Sequence, residues 1–254
     1  MHRKQRDSAM ISRLFFRLLP VQVAMVAMGS INSIVDGVVA ARFIDASTVG
    51  VVGLYYTVMR ILEASGAILL GGVSVLSGRY LGSGKVDQTR GICTLGMTLA
   101  LIIGAMVTVA SFAAPVAIAR LLGANDILLK PLATYIRGYA IGIIPQLLGQ
   151  QIAATLQLER NEKLGHLAIS VMITVNVALD IVFVAVMNLG VWGLALATSL
   201  ANWAYFIVVA QYYFTPKAQL KPKLSLVDFR ETLTVLKIGF PNALLVVCLA
   251  ARSL

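Results

Sequence analysis

The chain has 254 residues, of which 59% are hydrophobic and 13% charged, with a mean hydropathy of +0.86 and a formal net charge of +10. Soluble domains carry roughly 25% charged residues, so an ordinary soluble or disordered protein is excluded and a polytopic membrane protein is indicated. The basic surplus lies in short segments between apolar runs rather than on one soluble face, which argues against nucleic acid as a partner and for asymmetric insertion into a bilayer.

Residues 1–14 form a basic tail. The apolar stretch that follows is too long for a cleavable signal and has no small-residue cleavage site. Six apolar stretches, 15–40, 49–77, 92–119, 132–156, 167–187 and 191–213, have the length of bilayer-spanning helices, about 20 residues each. A polar linker over 214–237 leads to a seventh apolar run, 238–254. The expected fold is an all-α membrane protein, a six-transmembrane-helix bundle over 15–213 plus the start of a seventh helix. With the N-terminus inside, fifteen Lys and Arg fall on the inner side and four (Arg42, Arg120, Lys130 and Arg137) on the outer side. The positive-inside rule therefore puts the N-terminus and the 214–237 linker in the cytoplasm.

In the first stretch Pro20 allows a bend, and Asn32 stands one helical turn before Asp36. The second stretch carries Arg60 and Glu63, three residues apart on one face, a spacing that suits a self-neutralising ion pair. The turn Gly78 to Lys85 is glycine-rich but lacks the spacing of a phosphate loop, with Val86 where a hydroxyl residue belongs. Cys93 and Cys248 sit in different apolar runs and make no disulfide or metal pattern. Tyr135 and Tyr139 share one face near the outer end of the fourth stretch and fit an interfacial belt as well as a cavity wall. Deeper in that stretch, Gln146 and Gln150 are cavity candidates, because an amide in lipid lacks partners. His166 is expected to cap the fifth helix from solvent. No nucleophile and base pair can be assembled in the spans, so no catalytic residues are assigned and no cofactor is implied.

Carboxylates inside hydrocarbon are costly, by roughly 2.5 to 3.5 kcal/mol, and are functional candidates for that reason. Asp36 lies six residues before Arg42, Asp180 eight before Asn188, and Thr198 eight after Gly190. At about 1.5 Å per residue all three fall roughly 9 to 12 Å below the outer surface, on three different helices. Asn176, four residues before Asp180, projects from the same face. Two carboxylates sharing one site need a cation between them or a proton on one of them. Oxygen ligands from Asp36, Asn176, Asp180 and Thr198 suit a hard metal cation such as Na+, and the carboxylates alone suit H+. The alternative is that Asp36 and Asp180 make separate structural hydrogen bonds and never meet.

Several segments together resemble the N-terminal lobe of the MATE family, the multidrug and toxic compound extrusion transporters. They are Leu18-Leu19-Pro20, Ser33-Ile34-Val35-Asp36-Gly37, Leu81-Gly82-Ser83-Gly84-Lys85, Val175-Asn176-Val177-Ala178-Leu179-Asp180, Gly193-Leu194-Ala195-Leu196-Ala197-Thr198 and Gly239-Phe240-Pro241. The resemblance implies a twelve-helix antiporter of two six-helix lobes that exchanges Na+ or H+ for amphiphilic, often cationic, small organic substrates. It implies a plasma-membrane location, with bacteria as the expected source. The family's cation site falls on Asp36, Asn176, Asp180 and Thr198, its helix bend on Pro20, and its fourth-helix Tyr on Tyr135. The Arg17 to Pro20 and Lys237 to Pro241 segments echo one another, so the sequence reads as one repeat and the beginning of a second. The implied partners are the bilayer and either a missing C-terminal lobe or a second copy. The competing expectations are a lipid-linked flippase, for which Arg60 and Arg137 are the only basic cavity candidates, and an inactive fragment.

Overall fold

The computed structural model describes residues 37–39, 41–44 and 46–251, with side chains described over 37–39, 41–44 and 50–244. Pro20, Asn32 and Asp36 lie outside the described residues. The helices are α1 (Ala46–Gly82), α2 (Val86–Ala113), α3 (Pro115–Leu121), α4 (Asp126–Leu158), α5 (Glu162–Asp180), α6 (Gly190–Ala210) and α7 (Thr232–Ala251). Among the described residues there is no strand, and five helices are long and apolar enough to cross a membrane: Gly50–Gly82, Val86–Ala113, Asp126–Leu158, Glu162–Val186 and Gly190–Phe214. Arg79, Lys85, Arg160 and Lys163 gather at one end of the bundle, called the basic end below.

Proline decides where two of these elements differ from the apolar runs. The expected 92–119 span is two helices. Ala114 leaves helical geometry at φ −136°, and Pro115 opens α3 at a first-turn position where its missing N–H is harmless. Pro145, by contrast, sits inside α4 and cannot donate to the carbonyl four residues back. That carbonyl, Ile141 O, accepts instead from the Trp203 indole Nε1 on α6, at 3.1 Å. The α4–α6 seam is built from small residues, as membrane helices require for close approach. A methyl at Gly142 would lie 2.6 Å from Ser199 Cα, and one at Gly138 would lie 2.8 Å from Ala195 Cβ. Ser199 Oγ meanwhile donates to Gly138 O at 2.7 Å.

Helix α4 is the hub, packed against α6, α2 and α1. Between α1 and α4 lies a core of Tyr55, Leu62, Leu132, Ile136, Ile143 and Leu147. The expected ion pair is present, with Arg60 Nη1 donating to Glu63 Oε2 at 2.7 Å and the guanidinium 4.3 Å from the Tyr56 ring centroid. Arg60 is thereby neutralised on its own helix.

The linker is folded against the basic end. Leu220 and Ala218 are buried. The Glu159 carboxylate, at the end of α4, accepts from the backbone N–H of Gln219 and of Leu220 and from the Tyr212 hydroxyl. Arg90 donates twice to Gln219 O, at 2.6 and 2.8 Å, and Lys223 N donates to Thr94 Oγ1 at 3.0 Å. Short 3-10 turns at Leu224–Leu226 and Phe229–Glu231 lead into α7, which starts at Thr232 rather than at Ile238. Glu159→Ala strands two backbone donors and a phenol, each worth about 1 to 3 kcal/mol when buried. The expected result is cleavage by trypsin at Lys217 and Lys223 that is at least about tenfold faster than in the parent chain. Equal cleavage rates would show that Glu159 does not hold the linker.

Candidate functional site

Helix α5 inverts the burial pattern of an ordinary helix. The residues it buries are Ala168, Asn176 and Asp180, while Ile181, Val182 and Val186 beyond it are 42 to 69% exposed. A bilayer explains this division: aliphatic side chains face lipid, and polar ones turn inward to find partners. Asp180 is 0% exposed and Asn176 is 2% exposed, and Asn176 Nδ2 donates to Asp180 Oδ2 at 3.4 Å. The i,i+4 spacing read from the sequence thus becomes a contact.

Directly after Asp180 the backbone changes to a π-helix, Ile181–Val186. One-turn π segments inside α-helices recur at functional sites, because they shift the facing of every residue beyond them. The chain then turns through Asn188, at φ 54°, and Gly190, at φ 57°, into α6. A methyl at Gly193 would lie 3.1 Å from Phe183 Cβ, which sets the antiparallel register of α5 and α6. In that register Thr198 lies at a level between Asp180 and Asn176. Its hydroxyl donates to Leu194 O of its own helix at 3.2 Å, which leaves the oxygen lone pairs as acceptors. Among the described residues no three His, Cys, Asp or Glu side chains gather, and the side chains seen in contact here are one amide and one carboxylate, Asn176 and Asp180.

Tyr135 and Tyr139 are 2% and 3% exposed, which does not fit an interfacial belt. They pack on Tyr55 of α1, each with ring centroids 5.0 Å from it. Tyr139 donates to Gln146 Oε1 at 3.1 Å. At about 100° per residue, Tyr135, Tyr139, Gln146, Gln150 and Gln157 share an arc of about 60° on α4, a stripe running to the basic end. Gln150 stands against Gly66 of α1 and lines a cavity of about 250 Å³ at the foot of that stripe. His166 also lines this cavity and is not the cap of α5, whose N-cap position is Asn161. Tyr55, Gln157 and the π turn were missed from sequence. Only Gln157 had a signal there, seven residues beyond Gln150 on the same face.

Comparison with known proteins agrees with this architecture. The chain is 26% identical over 258 residues to the multidrug export protein MepA of Staphylococcus saprophyticus, matching 96% of this chain and 55% of that protein. Solved structures of a MATE protein in the straight and bent conformations superpose with TM-scores of 0.80 and 0.79 at 23% and 24% identity. Each match covers 91% of this chain and 52% of the solved one, so the chain spans about half the length of the relatives it matches. With the MatE family profile matching residues 20–182, across the buried Asn176–Asp180 pair, the chain belongs to the MATE family of membrane proteins.

Proposed function

We propose that this chain forms the first lobe of a cation-coupled exporter, with Asp36, Asn176, Asp180 and Thr198 holding the coupling ion, Na+ or H+, and amphiphilic organic compounds as cargo. The observation that carries the proposal is the fully buried Asn176–Asp180 pair at the start of a π turn, inside a helix that otherwise faces lipid. A buried carboxylate in that position is expensive unless it meets a cation or a proton. The positive-inside rule assigns the basic end to the cytoplasm, which places the pair nearer the outer surface. The MepA name supports export of varied organic compounds, and the second half of such a transporter is supplied by a C-terminal lobe or a second copy. The flippase reading loses ground because Arg60, one of its two basic candidates, is neutralised by Glu63.

The test is dye movement by a complete transporter carrying this lobe, in inverted vesicles with imposed Na+ or H+ gradients. Gradient-driven accumulation is expected, and accumulation indifferent to both gradients would overturn cation coupling. Thr198→Ala removes a single neutral ligand and is expected to weaken the ion dependence by only about fivefold, the equivalent of ~1 kcal/mol. An undiminished ion dependence in that variant would remove Thr198 from the site.

A further inference from the structure

The linker that crosses the basic end presents two unlike rows of side chains. Its inner row packs into the bundle: Ala218 is buried, and Leu220 and the half-buried Val227 share a cluster with Val73, Ile92 and Val235. Its outer row is Phe214, Leu224 and Phe229, which are 88, 77 and 60% exposed. Between Phe214 and Phe229 the exposed Lys217, Lys221 and Lys223 stand against a single acid, Asp228.

Depth decides what the outer row meets. Helix α2 has 28 residues, about 42 Å, which is the thickness of a bilayer with both of its headgroup layers. The linker lies along the first turns of that helix rather than below it. Lys223 N donates to Thr94 Oγ1 at 3.0 Å, eight residues beyond Val86, and a methyl on Gly91 would meet the Leu226 carbonyl. Eight helical residues are about 12 Å, so Leu224 stands at the level where headgroups give way to acyl chains. Phe214 is likewise the last residue of the Gly190–Phe214 span.

Charge then selects the surface. Lys217 and Arg160 line one cleft of about 190 Å³ with Leu81, Tyr212 and Gln219. The carboxylate in that cleft, Glu159, is engaged by the Gln219 and Leu220 N–H groups and by the Tyr212 hydroxyl. Among the described residues the ion pairs are Arg60 with Glu63 and Arg90 with Asp87, and neither involves Arg160 or Lys217. Protein interfaces are depleted in lysine, whereas lysines beside exposed aromatic and aliphatic side chains suit an anionic lipid surface.

We infer that the linker is an interfacial strap that binds anionic phospholipid of the adjoining leaflet. A headgroup phosphate sits between Arg160 and Lys217 in the cleft, and Phe214, Leu224 and Phe229 enter the acyl boundary. Each cation at such a surface favours binding by about fivefold. The bound lipid holds the linker in place and is not cargo, so the assignment is independent of the exporter reading.

The full chain is tested in two ways. In nanodiscs of dioleoylphosphatidylglycerol, a nitroxide on Leu224→Cys should be shielded from a water-soluble nickel complex by at least about threefold relative to one on Ser83→Cys, in the exposed α1–α2 turn. The unsubstituted chain, labelled alike, supplies the background of its own cysteines. In detergent micelles, native mass spectrometry should show phosphatidylglycerol retained at least about fivefold better than phosphatidylcholine, and joint Arg160→Gln and Lys217→Gln substitution should weaken that retention about tenfold or more. Joint Lys85→Gln and Lys163→Gln substitution removes the same charge from the same end but outside the cleft, and should change retention by less than about twofold. Inorganic phosphate at the lipid's concentration should not displace it. The substituted positions are all exposed, so the variants are expected to fold, which size-exclusion elution checks. Equal losses from the two double variants, equal retention of the two lipids, displacement by free phosphate, or a Leu224→Cys label as open to nickel as the Ser83→Cys label would each overturn the proposal.

Discussion

Gly239→Ala is expected to lower the thermal unfolding midpoint, although alanine is the better helix former by about 1 kcal/mol. The reason is the crossing of α1 and α7. A methyl built on Gly239 would fall inside the van der Waals envelope of the Ile68 carbonyl oxygen, 2.7 Å from the carbonyl carbon and 3.0 Å from Gly72 N. Across the same crossing, a methyl on Gly72 would meet the Val235 carbonyl. These neighbours are backbone, which no rotamer change can move, so the helices must separate. Helix α7 packs mainly on α1, and separation therefore exposes most of its buried face. A cost of about 3 kcal/mol outweighs the propensity gain and corresponds to a fall of several degrees in the midpoint. Gly78→Ala is the internal control: it lies on α1 with nothing within 4 Å of an added methyl, and it should be neutral or stabilising. If both substitutions move the midpoint in the same direction, the backbone-level contact between α1 and α7 is not what holds α7.

Much of this architecture was legible in the sequence because a bilayer imposes a simple rule on composition. Within the described residues, runs of apolar residues of bilayer length became helices at nearly the expected places, and polar breaks became turns such as the one at Gly84, with φ 74°. The pairing of Asn176 with Asp180 was legible for a similar reason, since four residues on a helix fix a common face. What was not legible depends on contacts between segments distant in sequence. Nothing in the order of residues around Tyr55 shows that it stacks on Tyr135 and Tyr139, about eighty positions away. The linker's hold on Glu159 and Arg90 is equally invisible, because its donors are backbone groups that every residue possesses. The break at Ala114 was hidden by an uninterrupted apolar run, within which Pro115 reads equally well as a kink or as a new start. The π turn after Asp180 leaves no mark on composition at all. His166 was misplaced because its neighbours in the cavity come from α4, α6 and α1, none of them near in sequence.

Asp180→Asn should abolish gradient-driven efflux by a complete transporter carrying this lobe while leaving the lobe folded, and the two halves of that statement have separate physical causes. The fold survives because the substituted amide keeps the shape of the aspartate, keeps an acceptor oxygen for Asn176 Nδ2, and removes a charge from a position with 0% exposure. Neutralising a buried ion in an isosteric way is neutral or favourable for the fold, whereas Asp180→Leu would leave Asn176 buried without this partner at a cost of about 1 to 3 kcal/mol. Transport fails because Asp36 is then the only carboxylate left in the proposed site, so one of its two negative charges and most of its cation affinity are lost, and an amide cannot take up and release a proton near neutral pH. Efflux should therefore drop at least tenfold, to about the level of vesicles lacking the protein, with expression and size-exclusion behaviour unchanged. Adding Na+ at fixed pH separates the two coupling ions: Na+ stimulation of the parent that vanishes in Asp180→Asn marks a sodium site, and an indifferent parent whose proton-driven efflux vanishes marks a proton site. Normal coupling in Asp180→Asn, under either ion, would leave the buried pair on α5 with a purely structural role.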